Sequence, residues 1–237
     1  DHFPEDSQFR NMPVRLEGVI GAPEGDMAHP VVLILHGAHG TCPDDSWPCS
    51  VAEEQANYEG FTYLVEALAE AGYVALSINV NAEHTFGFGE PIPNVRITQL
   101  IDLHLGELAA ANAGESDKFG IELNGRVDLF RLVWVGHSRG GDFANHIVRE
   151  QNLAQAASPV GYGPVDGLLF IAPPVLFVDA LPTVDVPFSV ILAACDGDVA
   201  SLSSQAFFES ARLDGTRSHG GSSLYLEGAT HNQFNTI

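Results

Sequence analysis

Three polar residues stand where predicted strands end, and together they could activate a serine for attack on an acyl group. Ser138 lies within the glycine-rich segment Gly136–Gly141, whereas Asp196 and His231 follow later apolar segments. A serine hydroxyl is a weak nucleophile, so it needs a base that takes its proton and a carboxylate that orients this base. The order Ser, Asp, His along the chain therefore predicts a nucleophile, an orienting acid and a general base.

The elements around Ser138 are those that an exposed nucleophile requires. The apolar run Leu129–Val135 predicts a buried strand, and the segment Asp142–Val148 has the apolar periodicity of a helix. The serine would then occupy a sharp turn between strand and helix, with flanking glycines that allow close packing. The start of the helix would offer backbone N–H groups and a partial positive charge to an anion.

Two aspartates follow the predicted strand Val186–Cys195, and either could serve as the acid. Because Asp196 and Asp198 are two positions apart, we expect only one of them to point from the end of the strand toward the histidine. Asp196 is favoured because it follows the apolar run directly, and Asp198 would then be solvated or would cap the next helix. Cys195 is expected to be a buried, unpaired thiol.

With these motifs in this order, the segment Val14–His231 resembles the α/β-hydrolase superfamily. A further match is the run Val31–Leu35, which is typical of a strand buried on both faces and leads into the segment His36–Gly40. In the superfamily, the loop after this strand supplies one oxyanion-hole N–H, and the residue after the nucleophile supplies the other. The resemblance therefore implies that the backbone N–H groups of Ala38 and Arg139 stabilise a tetrahedral oxyanion.

The alternation of strand-like and helix-like segments predicts an α/β-hydrolase fold, with a mostly parallel central sheet and helices on both faces. Residues 1–237 are expected to form one catalytic domain, with an antiparallel edge strand at Val14–Ile20. The connection Ala172–Asp185 is too short for a helical lid, which predicts an open site and resembles cutinases and bacterial polyester hydrolases. The superfamily usually adds a closing helix after the histidine, so we expect the chain to be truncated after His231 or completed from elsewhere.

Two cysteines point to the compartment of the protein. Cys42 and Cys49 lie in a polar, proline-containing loop after the predicted oxyanion strand, and a disulfide between them would stiffen this loop and imply an oxidising compartment. Two free thiols in a cytosolic enzyme are the alternative. The loop also resembles that of secreted bacterial α/β-hydrolases, which implies a secreted or periplasmic protein.

The chain is strongly acidic. Asp and Glu total 31 against 10 Lys and Arg, which gives a net charge of −21, and such a surface repels nucleic acid and anionic membranes. We expect either a marine, salt-adapted source or an acidic extracellular protein. No apolar run reaches the ~18 residues of a membrane span, and the histidines lack metal-binding spacings, so neither a metal nor another cofactor is expected.

The sequence thus predicts a carboxylic-ester hydrolase that acts through an acyl-enzyme on small-molecule or polymeric esters. Two alternatives stay open. One is another acyl-transfer enzyme on the same triad, such as a lipase, an exopeptidase or an acyltransferase. The other is a catalytically silent binding domain. The acyl chain length and the oligomeric state do not follow from the sequence.

Overall fold

A computed structural model of the chain describes residues 13–45, 47–86, 95–154, 158 and 160–237. The strands are β1 (Gly18–Gly21), β2 (His29–Leu35), β3 (Val74–Ile78), β4 (Val127–His137), β5 (Val165–Ile171), β6 (Phe188–Ala193) and β7 (Gly221–Leu226). The α-helices are α1 (Thr62–Glu70), α2 (Asn81–Phe86), α3 (Val95–Asn112), α4 (Arg139–Ala154) and α5 (Gln205–Leu213). Short 3-10 turns cover Pro43–Asp45, Asn57–Phe61, Val178–Ala180 and His231–Phe234.

These strands form one sheet in the order β1-β3-β2-β4-β5-β6-β7. β1 pairs antiparallel with β3, and the other neighbouring strands pair in parallel. The mostly parallel sheet is confirmed, but the edge strand is shorter than the predicted Val14–Ile20. The strand β1 begins only at Gly18 because its partner β3 ends at Ile78. The last hydrogen bond between the two segments joins the N–H of Asn79 to the carbonyl of Glu17.

Apolar side chains on both faces of the sheet are covered by helices. One face packs against α3, α4 and α5, and it includes the fully buried Trp134 and Leu33, which are neighbours across β2 and β4. The other face packs against α1 through Val65 and through Phe61 at the end of the preceding 3-10 turn. Since burial of one such side chain stabilises the fold by about 1.5–3 kcal/mol, these layers hold the strand ends in place.

The β5–β7 half of the second face is less completely covered. Val133, Leu169 and Ile191 remain partly exposed there, and Leu224 of β7 is 52% exposed. β7 is nevertheless paired with β6 over its whole length, so the turn that carries His231 starts from a fixed strand end.

The segment after His231 is anchored on the 3-10 turn that precedes α1. The hydroxyl of Tyr63 donates to the carbonyl of Phe234 at 2.9 Å, and the N–H of Thr236 donates to the carbonyl of Gly60 at 3.1 Å. The side-chain amide of Asn235 donates to the carbonyl of Asn57 at 3.3 Å. These contacts support the turn of His231 from behind.

The connection between β5 and β6 carries only the 3-10 turn Val178–Ala180 and no α-helix, which confirms the expectation of a minimal lid at this position. It is held against the first turn of α4 by Asp142. One carboxylate oxygen, Oδ2, accepts the backbone N–H groups of Leu176 and Phe177 at 2.7 and 3.2 Å. The connection is therefore a short segment that is bound to α4.

Asp142 is expected to make stability depend on pH. Its side chain is fully buried, and Oδ1 has no hydrogen-bond partner among the described residues. Burial raises the pKa of this carboxyl to about 7, against the opposing effect of the two backbone N–H groups. The folded chain therefore binds the proton more tightly than the unfolded chain, so stability falls as pH rises from about 4 to about 7, by ~1.4 kcal/mol per unit of pKa difference.

Asp142→Asn keeps an acceptor for both N–H groups but cannot ionise, so its melting temperature should fall less over this pH range than that of the wild type. Melting curves recorded from acidic to mildly alkaline pH measure the difference. The exposed Asp26 provides the matched control, because Asp26→Asn makes the same charge change without burial. Parallel curves for the Asp142 variant and the wild type would contradict the assignment.

Candidate active site

The sheet brings the ends of β2, β4, β6 and β7 to one edge, because parallel strands all end on the same side. Ser138 directly follows β4, and Asp196 lies three residues beyond the end of β6. His231 follows β7 after a short turn, and Ala38 lies in the loop after β2. The residues that the sequence predicted for the site therefore meet at this edge.

Ser138 occupies a strained turn between β4 and α4. Its φ is 52°, in the left-handed region that non-glycine residues rarely adopt, and its N–H donates to the carbonyl of Ile171 at 2.8 Å. The flanking glycines are required by space: a Cβ on Gly136 would lie 2.4 Å from the carbonyl oxygen of Gly140, and one on Gly140 would lie 2.4 Å from that of Leu35. Such strain persists where the surrounding structure imposes it, commonly at functional sites.

A chain of hydrogen bonds runs from a carboxylate through an imidazole to the serine. His231 Nε2 is 2.8 Å from Ser138 Oγ, and His231 Nδ1 is 2.9 Å from Asp196 Oδ2. The imidazole is 5% exposed, so water competes little for either contact. Of the two aspartates that the sequence left open, Asp196 is the one that contacts Nδ1.

Asp196 is held by its neighbours as well as by the histidine. Its Oδ1 accepts the backbone N–H groups of Asp198 and Val199 at 2.9 and 2.6 Å. Burial tends to raise the pKa of this carboxyl, but the hydrogen bonds from His231 and these N–H groups outweigh it, and the pKa lies below its ordinary value. Asp196 is therefore ionised at neutral pH, as an acid that orients an imidazole must be.

Asp198 lies closer to the site than the sequence indicated. Its side chain is 66% exposed, as expected for a solvated aspartate, but Oδ2 is 3.7 Å from His231 Nε2. The next helix, α5, has Ser204 at its N-cap and no side-chain cap hydrogen bond, so Asp198 does not cap it. The exposed carboxylate of Asp198 therefore lies beside His231 Nε2, the nitrogen that contacts Ser138 Oγ.

The loop after β2 packs directly against the nucleophile. A Cβ on Gly37 would lie 2.6 Å from Ser138 Cβ, so only glycine allows this approach. Arg139 is the first residue of α4, and its N–H therefore has no acceptor within the helix. Arg139 directly follows Ser138, and Ala38 follows the glycine that packs against Ser138. Their assignment as oxyanion donors stays a prediction.

His36 fixes the orientation of this loop, a role that the sequence did not predict. Its Nε2 accepts the N–H of Val80 at 2.9 Å, so the neutral ring carries its proton on Nδ1 and donates it to the carbonyl of Gly37 at 2.7 Å. Burial, followed by the nearby His84, holds the pKa of His36 well below its usual range. Because C=O and N–H of a trans peptide point in opposite directions, this bond turns the N–H of Ala38 away from His36.

His137 supports the main chain of His231. Its Nε2–H donates to the carbonyl of His231 at 2.9 Å, and its ring stacks on that of His39 at 5.7 Å. Burial is the main reason that the pKa of His137 is lowered to about 4, so the ring is neutral and adds no charge beside the triad. The sequence offered one signal for His36 and His137, namely that both lie beside the glycines of the two site loops.

Cys42 and Cys49 form the predicted disulfide, with their Cα atoms 5.8 Å apart. Cys195 is unpaired, as predicted, but the prediction that it is buried is wrong, because this thiol is exposed. β6 ends at Ala193, so Cys195 belongs to the following turn, where its N–H donates to the carbonyl of Ala229 at 2.8 Å. A side chain in such a turn is not constrained to either face of the sheet.

This arrangement predicts the number of accessible thiols. Alkylation of the folded protein without reductant should modify one cysteine, Cys195, and reduction under denaturing conditions should raise the number to three. Intact mass before and after reduction measures both values, and peptide mapping identifies the sites. Modification of Cys42 and Cys49 without reductant would show that the disulfide does not form.

Within the ranges that the structure describes, no group of three or more His, Cys, Asp or Glu side chains is placed to hold a metal ion. No helix in these ranges has both the length and the apolar character that crossing a bilayer requires.

No protein-family model and no curated protein matches the sequence, but solved structures do. The chain is similar to a dienelactone hydrolase from Anabaena variabilis, with 19% identity, coverage of 92% of this chain and 82% of that chain, and a TM-score of 0.51. It is also similar to a thermophilic esterase from the planctomycete Thermogutta terrifontis, with 15% identity, coverage of 96% and 85%, and a TM-score of 0.57. Together with the sheet order and the strand–serine–helix turn, these similarities show that the chain has the α/β-hydrolase fold.

Proposed function

We propose that this protein is a carboxylic-ester hydrolase that acts through an acyl-enzyme on Ser138. The observation that carries the proposal is the continuous hydrogen-bond chain Asp196–His231–Ser138, with contacts of 2.9 and 2.8 Å. The printed names of the two similar structures, a dienelactone hydrolase and an esterase, support hydrolytic chemistry on this fold.

In the first half of the reaction, Ser138 Oγ attacks the acyl carbon while His231 Nε2 takes the hydroxyl proton. The carbonyl oxygen becomes an oxyanion, which the N–H groups of Ala38 and Arg139 would stabilise more than they stabilise the uncharged carbonyl. The intermediate then expels the alcohol oxygen, which takes the proton from His231. The products are an ester on Ser138 and a free alcohol.

In the second half, water replaces the alcohol. His231 Nε2 takes a proton from the water as its oxygen attacks the acyl carbon of the ester on Ser138. Collapse of this intermediate breaks the bond to Ser138 Oγ, which recovers its proton from His231 and releases a carboxylic acid. Throughout both halves, Asp196 keeps the imidazole in the tautomer whose Nε2 can accept a proton.

The proposed substrate class is supported by the short connection between β5 and β6. The β5–β6 connection carries no helical lid and is bound to α4 through Asp142, so bulky or polymeric esters as well as short ones would have access. The disulfide Cys42–Cys49 supports export to an oxidising compartment, and the net charge of −21 supports a saline or extracellular setting.

The test compares hydrolysis of p-nitrophenyl acetate with that of an aminoacyl p-nitroanilide, and adds a fluorophosphonate probe. We expect ester hydrolysis, little amide hydrolysis, and covalent labelling of Ser138 that is absent in Ser138→Ala. Faster amide hydrolysis would favour an exopeptidase, and absence of labelling would favour a binding domain. An ester series of increasing chain length, together with a polyester film, then defines the preferred acyl group.

A further inference from the structure

The carboxylate of Asp198 lies on the solvent side of the triad imidazole. Its Oδ2 is 3.7 Å from His231 Nε2, the nitrogen that is 2.8 Å from Ser138 Oγ. The position of its main chain is fixed, because Asp198 N–H donates to the buried Asp196. The turn that contains Asp196 therefore also places the Asp198 carboxylate beside the reacting atoms.

No Lys or Arg in the described part of the chain forms an ion pair with this carboxylate. Among those residues, the one ion-pair contact of Asp198 is with His231. Asp198 also interacts electrostatically with His39. Burial and the neighbouring His231 lower the pKa of His39, and Asp198 opposes this shift without reversing it. The carboxylate of Asp198 therefore adds a negative charge on the side of His231 Nε2.

The alcohol half of a substrate must come close to this charge. In the proposed reaction, His231 Nε2 returns a proton to the leaving oxygen, so that oxygen lies within hydrogen-bond reach of Nε2. Substituents on the first carbons of the alcohol then lie beside Asp198, which is on the exposed side of the imidazole. The acyl carbon is bonded to Ser138 instead, and its carbonyl oxygen is directed toward the predicted oxyanion donors.

From this geometry we infer that Asp198 selects esters whose alcohol half carries a positive charge close to the ester oxygen, such as an ammonium group, and disfavours those with a carboxylate there. The inference rests on the proposed ester hydrolysis. An exposed charge pair contributes about 0.2–1 kcal/mol, so Asp198 should change the preference for a cation by about 1.4- to fivefold. Repulsion between Asp198 and an anionic group on the alcohol half further favours cationic esters over anionic ones.

Three acetate esters test the inference: acetylcholine, its neutral isostere 3,3-dimethylbutyl acetate, and the anionic acetylglycolate. The measured quantity is kcat/KM for each ester at low ionic strength, expressed relative to the neutral ester. Because the overall charge of −21 also attracts cations, Asp198→Asn is compared with Asp26→Asn. Asp26 is exposed in the turn before β2, at the end of the strands opposite to the site.

In Asp198→Asn, the preference for acetylcholine over the neutral ester should fall by about 1.4- to fivefold, and the preference against acetylglycolate should weaken. Asp26→Asn should keep the wild-type ratios. Added salt should reduce the wild-type preference. Equal ratios in Asp198→Asn and in the wild type, with the neutral ester still hydrolysed, would overturn this inference alone. If the wild type does not hydrolyse the neutral ester, the proposed function fails, and the inference fails with it.

Discussion

Ser138→Ala is expected to abolish ester hydrolysis and to leave the fold intact. Alanine retains the Cβ of serine and therefore fits the same left-handed turn, at φ 52°, between β4 and α4. The substitution removes only Oγ, the atom that contacts His231 Nε2. In a serine-protease triad, loss of the nucleophile lowers kcat by about 10⁶, and we expect a reduction of the same order here.

The measurement is kcat on a soluble p-nitrophenyl ester, with circular dichroism and the melting temperature as checks on folding. Fluorophosphonate labelling should disappear together with activity, because both need the same oxygen. A folded variant that keeps more than about a tenth of the wild-type rate would show that Ser138 is not the nucleophile.

The parts of this fold that the sequence predicted are those encoded by short, local patterns. Leu129–Val135 predicts a buried strand because all of its side chains except Arg131 are apolar. β4 does lie at the centre of the sheet, although Phe130 and Arg131 are exposed. The glycines around Ser138 are a local signature in part, because the close contact of Gly136 with Gly140 lies within one turn, whereas that of Gly140 is with the distant Leu35. Parallel pairing then places the ends of these segments at one edge without further information.

Contacts between distant parts of the chain could not be predicted in this way. His137 donates to the carbonyl of His231, 94 positions away, and His36 accepts from Val80, 44 positions away. Neither bond leaves a periodicity or a spacing in the sequence. The exposure of Cys195 was missed for a related reason, since the apolar run continues two residues beyond the point where β6 stops pairing at Ala193.

The position of Asp198 within the site also could not be predicted from the sequence. Spacing indicated that only one of the two aspartates could contact Nδ1 of the histidine, and Asp196 does so. The spacing gave no indication that the other carboxylate would lie 3.7 Å from Nε2, because that distance depends on how the turn after β6 folds around Asp196 Oδ1.

The second large effect is expected for Asp196→Asn. Oδ1 of Asp196 accepts two backbone N–H groups, so an asparagine here would keep its carbonyl oxygen on these donors and present its NH₂ group to His231 Nδ1. The imidazole would then have to accept at Nδ1 and carry its proton on Nε2. In that tautomer Nε2 cannot take the proton of Ser138, so kcat should fall by about 10⁴.

Asp198→Asn is the matched comparison, because it makes the same substitution two residues away on a carboxylate that is 66% exposed and makes no contact with Nδ1. On a neutral, soluble ester, its kcat should fall by far less, within about tenfold of the wild type, since exposed charges interact weakly. Raising the pH should not rescue Asp196→Asn, because the defect is the position of a proton on a neutral ring and not its ionisation. If Asp198→Asn were the inactive variant and Asp196→Asn retained activity, the orienting acid would be Asp198, and the turn after β6 would have to rearrange in the working enzyme.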